Sequence, residues 1–415
     1  MELKDKCCLW ALSSVPLVMT LGNSMLIPVL PAIEKKLDIS AFQVSMIITV
    51  YSIVAILLIP IAGYLSDRWG RKKVIIPSLI IAGIGGAITG WASWKMSDPY
   101  WIILAGRVVQ GIGSAGAMPV VLPCVGDMFK DEKDISCGLG MIETSNTFGK
   151  VLSPILGSAL AAVVWFLPFW FIPILCAIAV LLIIFLVKPP KKQDDPVPVK
   201  EFVHSVWKLL KEKGKWLVTI FIAGAIIMFV LFGALFYLST ILETKYHTDG
   251  IWKGLILAIP LSALSLCSFI TGKKIGDDKK IMRRCAYLGF FILAGSFIIP
   301  VFFNNVYTLV TSLSIGGVGI GLALPSLDAL ITEGIEKEER GTITSLYSSM
   351  RFVGVAAGPP LYAIFMKGAD QDIFWVSGAA GLAGALLIMF FVKPKSSKNE
   401  DSKSDSCAPK SVPQT

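Results

Sequence analysis

Five ionisable side chains interrupt runs that are otherwise apolar, and they are the residues of this 415-residue chain best placed to do chemistry. They are Arg107, Glu143, Lys150, Asp328 and Arg351. An ionised side chain in the middle of a membrane helix costs about 2.5 to 3.5 kcal/mol on insertion scales, so each of the five must face protein or water. A carboxyl group in such a place can take up and release a proton, and a cation there can hold an anion.

Glu143 is our first candidate for a carboxyl group that exchanges a proton, and Asp328 is the second. Glu143 and Lys150 are seven residues apart, so they share one helix face at about 10 Å and suit a common water-filled cavity. Burial disfavours the charged form of a carboxyl group and a nearby cation favours it, so a bound molecule can tip the balance. The alternative for both carboxylates is a permanent ion pair that only holds helices together.

The surroundings of these charges leave the class of bound molecule open. Phe148 and Tyr347, with other aromatic and methionine side chains, can line an adaptable apolar cavity that suits lipophilic cations. Lys150 and Arg351 instead bring two cations to the same level, which favours an organic acid, a phosphorylated metabolite or a lipid headgroup. The alternative for the aromatic residues is ordinary packing or lipid contact.

The elements that must hold these residues are membrane helices. Of all residues 54% are hydrophobic and 16% charged, and the mean hydropathy is +0.71, which is outside the usage of aqueous globular proteins. We find about twelve apolar runs of roughly twenty residues. They begin near Leu9, Phe42, Val74, Tyr100, Ser136, Trp165, Trp216, Trp252, Cys285, Tyr307, Thr342 and Ile373. The sequence therefore predicts an all-α integral membrane protein with twelve transmembrane helices.

The basic residues predict how these helices are oriented. With both termini in the cytoplasm, nearly all Lys and Arg fall in cytoplasmic segments, as the positive-inside rule requires. Six fall outside: Lys35, Lys36, Lys95, Lys245, Lys253 and Lys367. We expect a multi-pass protein of the plasma (cell) membrane with both termini cytoplasmic. The net charge of +9 then reflects topology and the lipid bilayer, not nucleic acid.

The chain divides in the middle and repeats itself. Residues 188–215, rich in Lys, Pro and Asp, read as a cytoplasmic linker between bundles of six helices at 1–187 and 216–392, and residues 393–415 as a disordered cytoplasmic tail. A shift of 206 residues lays Pro119 on Pro325, and Asp127 on Glu333. Parallel repeats of six helices are typical of a large class of transporters, whose substrate site lies between the halves.

A dense basic turn joins the second and third runs. Its residues are Gly63-Tyr-Leu-Ser-Asp67-Arg68-Trp-Gly70-Arg71-Lys-Lys. The glycines allow a tight turn and close helix approach. Asp67 is placed to accept hydrogen bonds from a helix N-terminus or to pair with Arg71, while Asp127 and Glu333 are candidates for gates or helix-end partners.

Three segments resemble the major facilitator superfamily. The basic turn is similar to its loop signature, and Arg107-Val-Val-Gln110-Gly111-Ile-Gly113 resembles the fourth-helix motif of its proton-coupled members. The segment Gly149-Lys-Val-Leu-Ser-Pro154-Ile-Leu-Gly157-Ser resembles the fifth-helix motif of the twelve-helix drug:proton antiporters. It departs from that motif at Ser153 and Ser158, where the group usually has Gly.

The resemblance implies two pseudo-symmetric six-helix bundles that work by alternating access. It implies that Asp67 holds the cytoplasmic ends of the halves together in the outward-facing state, and that Arg107 restrains or resets a carboxylate. Gly149, Pro154 and Gly157 are expected to let the fifth helix bend or pack closely on the opposite half.

The functional expectation is a secondary active transporter. Proton-driven efflux of amphipathic drug-like compounds is our first interpretation, a proton-coupled transporter of an anionic metabolite or lipid headgroup is the second, and a transporter-like membrane sensor is the third. Eight cysteines without metal-ligand spacing and histidines only in or beside loops predict no metal site. We also expect no cofactor, no enzymatic activity and a monomer.

Overall fold

The fold was obtained as a computed structural model that describes residues 3–129, 132–187, 211, 214–276, 278–303, 305–335, 337–368 and 370–392. Within these ranges the regular structure is helical, without a strand. The described residues contain twelve long helices, and we number them in chain order. They are α1 (Leu3–Ser24), α2 (Ala41–Trp69), α3 (Arg71–Lys95), α4 (Tyr100–Met128), α5 (Glu132–Val163), α6 (Leu167–Leu186), α7 (Gly214–Thr244), α8 (Gly250–Lys274), α9 (Lys279–Ser296), α10 (Val306–Gly334), α11 (Lys337–Phe365) and α12 (Asp370–Phe391).

Length and apolarity explain most of these helices. Ten described segments are long and apolar enough to cross a membrane, and they include every long helix except α5 and α11. Those two exceptions are 32 and 29 residues long, so they have the length but not the apolarity. They carry Glu143, Lys150 and Arg351. The predicted all-α architecture of twelve membrane helices is confirmed, and the two helices that fall short of the apolarity of a membrane span carry three residues of the candidate site.

Local sequence sets the helix ends near the basic turn. Ser40 and Gln43 form a capping box that starts α2, with the backbone N–H of Gln43 donating to Ser40 Oγ over 3.2 Å. Gly70 ends α2 and begins α3 with φ of +98°, a region that other residues avoid, so the turn can be this tight. We call this end of the molecule the basic end and the opposite one the distal end.

The two groups of six helices pack in the same way. In the first group α1 packs on α5 and α6, α3 on α4 and α6, and α2 on α4; in the second α7 packs on α11 and α12, α9 on α10 and α12, and α8 on α10. The groups meet through α2 against α11 and α5 against α8. Each contact has a counterpart six helices later, so the halves are pseudo-symmetric, as the repeat predicted.

The first helix is interrupted near the distal end. After Ser24 the chain passes through a 3₁₀ turn, Ile27–Val29, into a short helix, Leu30–Leu37. Pro28 and Pro31 have no backbone N–H to donate. An α-helical bond to the Ile27 carbonyl would come from residue 31, so Pro31 rules that bond out. The N–H of Leu26 bonds to Asn23 instead of Gly22. The carbonyls of Gly22 and Pro28 are thereby left for side chains, while the Ile27 carbonyl accepts the Leu30 N–H and has room for a second donor.

The predicted linker and tail lie almost entirely outside the described residues. Of the predicted linker only residues 211, 214 and 215 belong to the described ranges, with Gly214 starting α7, and the tail 393–415 lies outside them. The predicted limits of the two bundles therefore stay predictions.

One of the six lysines assigned to the outer side is buried. Lys253 is in the first turn of α8, at the distal end, and is only 2% exposed. It can be buried because Glu243 neutralises its ammonium group, and the side of the membrane assigned to it stays a prediction.

Candidate functional site

Four of the five charged residues predicted to lie within the helices come together between the halves. Arg351 Nη1 and Asp328 Oδ1 are 3.7 Å apart, with side chains 22% and 39% exposed. Lys150 interacts electrostatically with Glu143, Arg351 and Asp328. The group comprises two acids and two bases, so its formal charges balance. We call these four residues the central cluster.

The helices that carry the central cluster explain its position. Glu143 and Lys150 lie on α5, Asp328 on α10 and Arg351 on α11, so the acids and bases are shared between the halves. Glu143 is exposed in the structure and Lys150 is partly buried. Because a charge in a membrane helix avoids lipid, these side chains face a water-accessible space between the halves.

Polar neighbours on α5 and α1 hold the carboxylate of Glu143. The amide Nδ2 of Asn146 lies 3.3 and 3.4 Å from the two carboxylate oxygens, and the Thr147 hydroxyl lies 3.4 Å from one of them. Thr20 of α1 donates to Asn146 Oδ1 over 2.7 Å, which turns the amide N–H groups towards Glu143. This series of hydrogen bonds was not predicted from the sequence, although Thr20 and Asn146 are polar residues in helical runs.

Lys150 also borders a small cavity on the distal side of the cluster. Its volume is about 30 Å³, enough for one or two water molecules. The lining is apolar apart from Lys150 and Ser24, and it comes from both halves, with Pro154 of α5, Leu231 of α7 and Leu257 of α8 among the residues. A drug-sized molecule needs far more room, so binding it here requires the halves to move.

Tyr347 lies beside the central cluster, but Phe148 does not. The Tyr347 ring lies 5.6 Å from the guanidinium carbon of Arg351, and its side chain interacts electrostatically with Asp328. Gly224 of α7 makes room, since a Cβ there would lie 2.6 Å from the ring. Phe148 is 58% exposed and about 160° around α5 from Lys150, so this expected cavity residue is not brought to the cluster.

Arg107 lies apart from the carboxylates. It is fully buried and donates to the carbonyls of Ile47 (2.8 Å) and Gly22 (3.3 Å) and to the side chains of Gln110 and Asn23 (both 2.6 Å). Its guanidinium carbon also lies 4.4 Å from the centre of the Tyr51 ring. The structure therefore does not bring Arg107 together with Glu143 or Asp328, because its donors are used by the interrupted α1 and by α2.

The basic turn forms a network within the first half. Arg71 pairs with Asp67, which is half exposed, and its Nε donates to Asp127 Oδ2 of α4 over 2.8 Å. Arg71 also donates to Ser66 Oγ over 2.6 Å. Arg68 is exposed. The ion pairs and hydrogen bonds of Asp67 in the described part of the chain all stay within the first half.

Two further contacts connect this turn with its surroundings. Gly63 lies against α11, where a Cβ would be 3.0 Å from Ser345 Oγ. Lys72 of the basic turn donates to the carbonyls of Ile184 (2.9 Å) and Val187 (2.7 Å) and so caps α6. Glu333, the repeat partner of Asp127, is in the last turn of α10, and its side chain lies outside the described part of the structure.

The glycines of the fifth-helix segment pack within their own half. Gly149 lies against Leu17 and Thr20 of α1, and a Cβ at Gly157 would overlap the Met25 carbonyl oxygen at the α1 break. The expected contact with the opposite half is made instead by the Pro154 carbonyl, which meets Gly254 of α8. The glycines therefore seat α1, and the backbone at Pro154 contacts the second half.

The described residues contain no group of three or more His, Cys, Asp or Glu side chains that could hold a metal ion. The side chains of the central cluster can exchange protons at the two carboxyl groups and bind opposite charge at the two cations.

Comparison with known proteins identifies the family. A model of the Major Facilitator Superfamily matches residues 12–359 and 278–413. The chain belongs to that superfamily. The resemblance seen in the basic turn and in the fourth and fifth runs is confirmed.

Relatives from bacteria are exporters. The chain is 59% identical over 391 residues to the bacillibactin exporter of Bacillus subtilis (strain 168), covering 94% of this chain and 97% of that protein. It is 27% identical over 388 residues to the class C tetracycline resistance protein of Escherichia coli, covering 86% and 90%. A multidrug efflux protein of Bacillus subtilis is 26% identical over 397 residues, covering 92% of each. The predicted class, a transporter for the efflux of small molecules, is confirmed.

Solved structures share the fold. The human organic anion transporter MFSD10 (TETRAN) matches with a TM-score of 0.73 at 17% identity, covering 93% of this chain and 100% of that one. A bacterial homologue of the human lysosomal transporter Spinster, in an inward-facing and unoccupied conformation, matches with a TM-score of 0.71 at 15% identity, covering 94% and 95%.

Proposed function

We propose that this protein exports a small organic molecule in exchange for protons, and that the central cluster is where the two are coupled. The supporting observation is that Glu143 and Lys150 of one half interact electrostatically with Asp328 and Arg351 of the other. A site shared between the halves changes its surroundings when the halves move. Its carboxyl groups can therefore change protonation as the site passes from one side of the membrane to the other.

Glu143 is the proposed proton carrier, with Asp328 as the second candidate. Asp328 is already paired with Arg351, whereas the contacts of Glu143 closer than 3.5 Å in the described structure are with neutral groups. Its carboxylate is also the more exposed of the two to the space between the halves. Glu143 can therefore gain and lose a proton without breaking a close ion pair.

Bacillibactin is the first substrate to test, because the relative with 59% identity is named for its export. Tetracycline is a useful comparison, since the relatives named for resistance to it are only 23–27% identical. We expect a response to bacillibactin and a weaker one, or none, to tetracycline.

Proton coupling can be tested with a pH-sensitive dye in energised everted vesicles. Adding the substrate should release protons from the acidified lumen, and Glu143→Gln should abolish this release because an amide cannot carry the proton. Asp98→Asn is the matched control, since Asp98 is an exposed acid in the turn before α4. Normal proton-linked transport by correctly inserted Glu143→Gln would remove Glu143 from the mechanism.

A second candidate function is proton-coupled transport of an anionic metabolite or a lipid headgroup. Lys150 favours it, since it is the charged group that lines the cavity between the halves. The same assay can support this reading over export of lipophilic cations. The supporting result is a response to organic anions alone. This response should be weaker in Lys150→Met and retained in Lys150→Arg.

The proposal also covers the location and orientation of the protein in the membrane. We place it in the plasma membrane as a monomer, with both termini and the basic end in the cytoplasm, in keeping with the distribution of basic residues. We assign it no enzymatic activity and no role with nucleic acid. The orientation can be tested by adding a tag to either terminus and digesting everted vesicles with a protease.

A further inference from the structure

Lys253 is a buried cation at the distal end that the transport chemistry described above does not use. Its side chain is 3% exposed, and its ammonium group donates to Glu243 Oε2 and to the Pro28 carbonyl, each over 2.6 Å. Burying a charge is unfavourable unless it is well paired, so a leucine or methionine would fill this place at lower cost. The position therefore calls for a function other than packing.

One hydrogen bond of Lys253 stays within the second half, and the other crosses between the halves. Glu243 ends α7 and Lys253 begins α8, so their ion pair lies within the second half. Pro28 belongs to the interrupted α1 of the first half, so the bond to its carbonyl crosses between the halves. Ser239 of α7 makes a second crossing bond, from its hydroxyl to the Ile27 carbonyl over 3.2 Å.

The carbonyls that receive these bonds are available because α1 is broken. Pro31 has no N–H to donate to Ile27 or Pro28, so the Ile27 carbonyl accepts from the Leu30 N–H and from Ser239, and the Pro28 carbonyl accepts from Lys253. Apolar residues of both halves surround the site, among them Leu30 and Leu257 in a shared core. In these dry surroundings a charge-assisted hydrogen bond contributes more than it would in water.

We propose that Lys253 is a latch that holds the distal end closed, and that Glu243 positions its ammonium group for the Pro28 carbonyl. Opening of the distal end separates α7 and α8 from α1, so the bond to Pro28 must break while the pair with Glu243 travels with the second half. Water then reaches both freed groups. The latch thus sets how often the substrate site opens towards the distal side, which goes beyond the proposed substrate and its coupling ion.

Alkylation of a cysteine in the cavity tests the latch directly. Ser24 borders the cavity between the halves, so Ser24→Cys can be placed in a protein whose eight native cysteines are replaced. A membrane-impermeant maleimide is applied to each membrane face in turn, with intact cells and with everted vesicles. In Lys253→Met the labelling rate from the distal face should rise roughly tenfold, the effect expected for losing a hydrogen bond to a charged group.

Companion variants distinguish the latch from a merely structural lysine. Glu243→Gln should raise the rate less, because Lys253 keeps its bond to Pro28 but loses its positioning partner. Lys253→Arg, which keeps a donor, should stay near the unmodified rate. Lys36→Met is the matched control, since Lys36 is an exposed lysine at the same end.

The proposal fails if Lys253→Met inserts normally, unfolds at the normal temperature and labels at the original rate, or if Lys36→Met accelerates labelling equally. Should Lys253→Met not insert, Glu243→Gln and Ser239→Ala decide the matter: faster distal labelling in both supports the latch, and unchanged labelling in both overturns it. The labelling needs neither substrate nor proton gradient, so its result is independent of the proposed transport reaction.

Discussion

Buried and partly buried cations in this protein are accommodated in three different ways. Lys150 interacts with carboxylates across the gap between the halves, Lys253 has one carboxylate and one carbonyl, and the hydrogen bonds of Arg107 go to neutral oxygens alone. A guanidinium group suits the last arrangement, because its planar fork can serve several acceptors at once. The role of Arg107 in the structure is therefore to bind α1 and α2 to α4.

Replacing Arg107 by lysine tests this role. A lysine keeps the positive charge but cannot reach Ile47, Gln110 and Asn23 together, so buried acceptors are left without donors. We expect the free energy of unfolding to fall by roughly 2 kcal/mol or more. Thermal unfolding in detergent measures the loss. An unchanged unfolding temperature for Arg107→Lys would contradict the bracing role.

Residue type alone predicted much of the candidate site. Charges inside apolar runs are costly, so Glu143, Lys150, Asp328 and Arg351 could be recognised before their positions were known. Partners could not be predicted in this way, because helical periodicity gives the face of a residue but not the helix opposite. Arg107 shows the consequence: its acceptors include a carbonyl freed by the break in α1, which no spacing on α4 can reveal.

At the scale of helices, the break in α1 and the glycines of α5 form one unit. The helix ends where Pro28 and Pro31 prevent its continuation, and Gly157 lets the displaced Met25 carbonyl approach α5. The sequence predicted both runs and the importance of Gly157. It placed the contact of the glycine on the opposite half, whereas the glycine meets Met25 at the end of α1, because close approach depends on the tertiary path of α1.

Alanine substitutions on α5 separate helix packing from helix propensity. Gly157→Ala places a methyl group on the Met25 carbonyl, so we expect a loss of about 1–3 kcal/mol in unfolding free energy. Gly140 is the matched control, because a Cβ there meets nothing within 4 Å. Gly140→Ala should be neutral or stabilise by up to about 1 kcal/mol. Equal unfolding temperatures for the two variants in detergent would show that the close approach is unimportant.

At the scale of the whole molecule, two similar bundles touch mainly through two pairs of helices. The weak repeat at an offset of 206 residues predicted the bundles, since Pro119 and Pro325 fall at matching places on α4 and α10. The contacts between halves could not be predicted, because they belong to one conformation of a molecule that works by changing conformation. Here α1 meets α7 and α8 at the distal end, and Gly63 meets α11 near the basic end.

Asp67 tests how the basic end takes part in that change. It pairs with Arg71 in this conformation, while Gly63, one helical turn earlier, already lies against α11. A rotation of the halves that closes the basic end would bring the Asp67 carboxylate towards the start of α11, where a helix dipole favours an anion.

Asp67→Asn removes this attraction and should slow turnover several-fold in proteoliposomes, with little change in substrate affinity measured by equilibrium binding. Asp98→Asn, an equivalent change at the distal end, and Arg68→Gln, at an exposed neighbour, should leave turnover unchanged. If Asp67→Asn instead lost affinity while cycling at the normal rate, its carboxylate would belong to substrate binding and not to closure.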